Sequence, residues 1–143
     1  MFTARAGIAQ YQQVGNQSVT YADPWQLIGM LFDGALDRVA QARHAMQIGQ
    51  IAVKGERIGK AISILEGLRG SLNHELDPQF AGNLDALYEY MQRRLLEASL
   101  HNAEQALDEV ARLLRELKSG WDAIPQEARD VGRHQAEQRG THD

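Results

Sequence analysis

Hydrophobic residues recur along most of the chain at alternating spacings of three and four, the period of a helix with one buried face. After Asp23-Pro24, the positions Ile28, Phe32, Ala35, Val39, Ala42 and Met46 form one such seam, and Gly49 marks its stop. A second helix is expected over residues 51–76, with Ile58, Ala61, Ile62, Leu65, Leu68, Leu72 and Leu76 facing inward. After Asp77-Pro78 the pattern repeats at Phe80, Leu84, Leu87, Met91, Leu95 and Ala98. Asn102 is placed to cap a fourth helix, whose seam is Ala103, Leu107, Val110, Leu114, Leu117, Trp121 and Ile124.

Both Asp-Pro pairs read as helix starts. The carboxylate accepts hydrogen bonds from orphan backbone N–H groups, and proline has no N–H to leave unsatisfied. In the fourth segment Glu104, Asp108 and Glu109 come early and Arg112, Arg115 and Lys118 late, which suits the helix dipole. No segment alternates with a period of two. The pattern therefore predicts an all-α fold, an antiparallel up-down four-helix bundle over residues 23–124. A short N-terminal arm (1–22) is expected before it and a polar tail, frayed or disordered, after it (125–143).

Two features exceed what a bundle needs. Trp25, Leu27, Met30, Leu31 and Leu36 flank the first seam, Ile64 the second, Tyr88, Tyr90 and Leu96 the third, and Leu113 the fourth. Periodicity alone leaves two explanations: a wide core stripe with scattered exposed apolars, or a surface for an apolar partner. Gly29, Gly34, Gly55, Gly59, Gly67 and Gly70 also fall inside predicted helices. Each costs about 1 kcal/mol relative to alanine. So many imply close backbone approach by a partner or helices that must remain adaptable, and the second helix is expected to be the least stable.

A net charge of −4 argues against sequence-independent binding to nucleic acid and against an anionic membrane face. The absence of cysteine removes disulfides, thiolate metal sites and cysteine nucleophiles. No apolar run has the length to span a bilayer, and the first residues lack the core of a signal peptide. A cytoplasmic protein without membrane insertion is expected.

A glycine-rich phosphate loop, a nucleophile elbow and a zinc-binding HExxH helix are all missing. The histidines (His44, His74, His101, His134 and His142) lack ligand spacing, and Glu97 with His101 reads as a surface pair. A binding protein with no cofactor or metal is favoured over an enzyme. The rival reading is a histidine phosphotransfer bundle built on His44. That residue has Arg43 beside it but lacks a Lys-Gly neighbourhood, and Lys54-Gly55 has no histidine on its own turn.

Longer blocks carry a more specific signal. They are Tyr11-Gln12-Gln13-Val14, DPWQLIGMLFDGAL from Asp23 to Leu36, Lys54-Gly55-Glu56, and Lys60-Ala61-Ile62 with Ile64-Leu65. NLDALYEYMQRRLLEASLHNAEQAL from Asn83 to Leu107, then Glu109-Val110, Leu113-Leu114, Leu117 and Trp121 complete them. In these blocks and their order the chain resembles the flagellin secretion chaperone family, FliS. Asp23-Pro24 stands where the family commonly has Ser-Pro, and Ala98-Ser99 where it commonly has Ala-Asn. Asp and Ser both cap helices, so the first departure leaves the fold intact.

The resemblance implies a cytoplasmic helical bundle that binds the disordered C-terminal segment of new flagellin. It would prevent premature polymerisation and deliver the client to the flagellar type III export gate. The mode is helix-in-groove recognition coupled to folding. Expected partner-binding residues are Leu27, Met30, Ile64, Leu68, Tyr90 and Leu113 on the bundle, with Ile8, Tyr11 and Val14 on the arm. Those last three recur every third residue, and related arms imply that they cover the client groove while it is empty. Self-association of the client-free protein through the same surface is left open.

Overall fold

The computed structural model describes residues 23–125 and 128. Among them run four helices: α1 (Pro24–Gln47), α2 (Ile51–Gly70), α3 (Pro78–His101) and α4 (Glu104–Asp122). Each packs on its two ring neighbours, α1 on α2, α2 on α3, α3 on α4 and α4 back on α1. The connections at 48–50, 71–77 and 102–103 are short, so consecutive helices run antiparallel. The arm with Ile8, Tyr11 and Val14, and most of the tail, lie outside the described residues.

The Asp-Pro starts form as the sequence dictates. Asp23 Oδ1 accepts from the Gln26 N–H at 2.8 Å, and Asp77 Oδ1 from the Phe80 N–H at 3.0 Å. Each such cap contributes about 1 kcal/mol. Gly49 takes φ +76° past the end of α1. There the Gln50 N–H reaches back to Ala45 O and the Gly49 N–H to Met46 O, which closes orphan carbonyls in a Schellman turn.

Two boundaries differ from the expectation. Helix α2 ends at Gly70 rather than near 76. The Ser71 hydroxyl bonds back to Leu68 O, and Asn73 Oδ1 captures the Glu75 N–H, so the side chains supply a turn in place of helix. Leu76, expected inward, is consequently exposed. Asn102 does not cap α4. It sits in the left-handed region (φ 51°) as the C-cap of α3, and the backbone cap of α4 is Ala103, without a side-chain bond.

The core is continuous through the ring. Phe32, Val39, Ile58, Leu65, Met91, Leu95, Leu107, Val110 and Leu114 are buried. At one extremity Trp25 stacks on Trp121, with ring centroids 3.9 Å apart and planes at 11°, and the Trp121 indole N–H donates to Trp25 O at 3.1 Å. This ties the start of α1 to the last turn of α4.

Candidate functional site

Several residues read as lying beside the seams prove to be core. Leu31 and Tyr88 are buried. Of the expected partner contacts, Ile64 is 3% exposed and Leu68 1% exposed, so neither offers a surface. The reason is helix packing: α1 and α2 make the most extensive pairing of the ring, and Gly34 and Gly67 within them are buried. Glycine permits close backbone approach, and close approach buries a wider stripe of each helix. Tyr90 and Leu113 are half-buried against the core, and Leu27 and Met30 are half-buried near the start of α1.

The polar seam between α3 and α4 explains how Tyr90 is held. Its hydroxyl donates to Glu109 Oε1 at 2.6 Å, and the same oxygen accepts from Arg94 Nε at 2.9 Å. The Tyr90 bond, then Arg94, keeps the Glu109 carboxyl below its ordinary pKa. Arg94 also donates to Glu97 at 2.7 Å, which commits the carboxylate read as a partner of His101.

The exposed apolar surface lies elsewhere. Ile51 is 73% exposed, Leu100 70%, Phe80 62% and Leu96 52%. Leu96 and Leu100 share a face of α3, one turn apart. Opposite them, Lys54 of α2 donates to Ser99 O at 3.0 Å and to Asn102 Oδ1 at 2.6 Å, which seats the start of α2 against the end of α3. Ile51 lies one turn before Lys54 and Gly55 just after it; Leu96 lies one turn before Ser99 and Leu100 just after it.

Further along the same seam Gln92 donates to Ile62 O, and Arg69 forks onto Asp85 at 2.7 and 3.1 Å. These contacts fix which sides of α2 and α3 face each other. Helical spacing then places Ile51, Gly55, Gly59, Leu96 and Leu100 along the outer groove between the two helices. A Cβ added at Gly55 or Gly59 would meet nothing within 4 Å. The α2 side of the groove is thus apolar at Ile51 and open above Gly55 and Gly59, and its α3 side is apolar at Leu96 and Leu100. Leu96 and both glycines were visible in the sequence as surplus. Ile51 and Leu100 were missed, although the spacing of Leu100 from Leu96 was a usable signal.

Other concavities are shallower in chemistry. A groove of about 460 Å³ between α1 and α4 has Leu36, Ala40 and Leu107 beneath Arg43 and Arg115, and Arg43 is already paired with Glu104 and Asp108. His44 borders a second, of about 450 Å³, with Arg57. The lysine a phosphotransfer site would want nearby, Lys54, is instead turned to the end of α3. Among the described residues no His/Asp/Glu group is arranged to hold a metal, and no helix is long and apolar enough to cross a membrane.

The described residues thus form an all-helical four-helix bundle with apolar side chains exposed on its outer surface. Residues 7–128 match the family model of the flagellar protein FliS. The chain is 52% identical to the flagellar secretion chaperone FliSB of Pseudomonas aeruginosa, over 85% of this chain and 97% of that protein. It is 45% identical to the flagellar secretion chaperone FliS of Salmonella typhimurium, over 90% and 96% respectively. To that of Bacillus subtilis it is 32% identical, over 84% and 87%. The chain belongs to the FliS family of flagellar secretion chaperones.

Proposed function

We propose that the protein is a cytoplasmic chaperone that binds the C-terminal segment of flagellin and holds it unpolymerised. It then hands the client to the flagellar export gate. The observation that carries this reading is the α2–α3 groove, with Ile51, Leu96 and Leu100 exposed along it and open space over Gly55 and Gly59. An amphipathic client helix can set its apolar face between such walls, while the glycines admit its bulkier side chains. The family relationship supplies the class of client. Tyr90 and Leu113, half-buried on the α3–α4 side, extend the apolar surface to a client that wraps the bundle.

Isothermal titration of the isolated C-terminal segment of the cognate flagellin tests this directly. Binding is expected with a negative heat-capacity change, because apolar area is buried as the segment folds. Leu100→Glu is expected to weaken it at unchanged chaperone stability. Absence of heat at micromolar concentrations of both partners would remove the proposal's foundation.

A further inference from the structure

Lysine is almost never buried unless paired. Lys54 is 5% exposed, and its hydrogen-bond partners, Ser99 O and Asn102 Oδ1, are neutral oxygens. We propose that Lys54 is a positioning residue of the α2–α3 groove, its clamped ammonium setting the spacing of the walls that carry Ile51, Leu96 and Leu100.

The physical case starts at the end of α3. The last carbonyls of a helix carry the negative end of its dipole, so an ammonium is favoured there. Such a cap ordinarily comes from the helix's own sequence or the turn that follows. Here it comes from the neighbouring helix, so the cap is also a tie across the groove. Neither α2 at Gln50 nor α4 at Ala103 has a side-chain cap bond, and α2 is weakened further by Gly55 and Gly59. By holding Asn102 Oδ1, the same ammonium fixes the side chain of the left-handed turn from which α4 departs. Apolar packing alone tolerates small shifts of one helix along another. Two directional bonds from a buried charge do not, because leaving that charge unsatisfied is costly.

The inference rests on the groove being the client site, and the test separates the two. Lys54→Met keeps the apolar stem and removes the donors. It is compared with wild type and with Leu114→Ala, a core variant that lowers stability without touching the groove. Two readouts are taken: amide exchange of residues 51–59 and 96–103, and affinity for the isolated flagellin C-terminal segment. In Lys54→Met, exchange in both segments is expected to accelerate about tenfold, reflecting easier local opening. Affinity is expected to fall about tenfold, a larger loss than in Leu114→Ala despite equal or higher Tm.

Wild-type affinity in Lys54→Met, or unchanged exchange in the two segments, overturns the proposal. If wild type itself fails to bind, the chaperone reading is what fails, and the exchange comparison alone decides whether Lys54 sets the groove. Should Lys54→Met not fold, Asn102→Gly replaces it. That variant suits the left-handed turn and deletes one acceptor, so the same two changes are expected, smaller; their absence overturns the proposal equally.

Discussion

Ile64 and Leu100 are both aliphatic residues at or beyond the edge of a helical seam, yet one is sealed and the other stands in water. What separates them is how far the neighbouring helices cover each position. Ile64 belongs to α2, whose pairing with α1 is the most extensive in the ring. Leu100 lies in the last turn of α3, on the solvent side of its seam with α2. Truncating Ile64 to alanine is therefore expected to cost about 2–5 kcal/mol in urea unfolding, by lost transfer energy and a residual cavity. Leu100→Ala is expected to stay within about 0.5 kcal/mol of wild type. Periodicity gives the angular position of a side chain but not the separation of the helices, so the edge of a stripe could not be assigned in advance. That is why Ile64, read beside the seam, was expected at a partner surface and is core; Leu68, expected both on the inward seam and at the partner surface, keeps only the first place. Asn102 shows the same limit for caps. Its local sequence suits an N-cap, but asparagine also tolerates the left-handed turn that closes a helix, and in the fold it closes α3 with its side chain held by Lys54.

Helix α2 carries the clearest tension between stability and binding. Gly55 and Gly59 lie within it with no neighbour where a methyl would go. Gly55→Ala is expected to stabilise the protein by about 0.5–1 kcal/mol, through helix propensity and a less flexible unfolded chain. The same methyl would stand on the α2 side of the groove, so the variant is expected to bind the flagellin segment more weakly while melting higher. Paired thermal melts and calorimetry check both signs.

The α2–α3 seam also has a pH signature. The Arg69 hydrogen bond, against a smaller opposing effect of desolvation, lowers the pKa of Asp85. A carboxylate with a depressed folded-state pKa stabilises the fold above its unfolded value, about 3.9, and the contribution is lost as pH falls through the lower folded value. Glu109, lowered chiefly by Tyr90, behaves alike. Asp85→Asn should therefore be less stable than wild type at neutral pH and lose stability less steeply below about pH 4. Urea midpoints across the acid range report the slope.

At the scale of the molecule, the four helices of the described residues, their antiparallel order and both Asp-Pro starts were legible because each depends on local chemistry that the chain states outright. The groove was legible only as a surplus of leucine and glycine, since its walls come from two helices and meet only in the fold. The two extremities are also fastened differently. The Trp25–Trp121 stack closes one with apolar rings, and Lys54 closes the other with hydrogen bonds, next to the groove. A client seated in that groove bridges α2 and α3, so it must bind the folded ring and not the unfolded chain. Mass action then requires it to raise stability by RT ln(1 + [L]/Kd), about 2.7 kcal/mol at a hundredfold excess over Kd. The increment should appear as a concentration-dependent rise in Tm when the flagellin C-terminal segment is added. A Leu96→Glu, Leu100→Glu double variant should keep the Tm of the free protein, since both side chains already face water, and lose most of the increment. Retention of the full increment in that variant would move the client to another face of the bundle, with the α3–α4 side around Tyr90 and Leu113 the next to test.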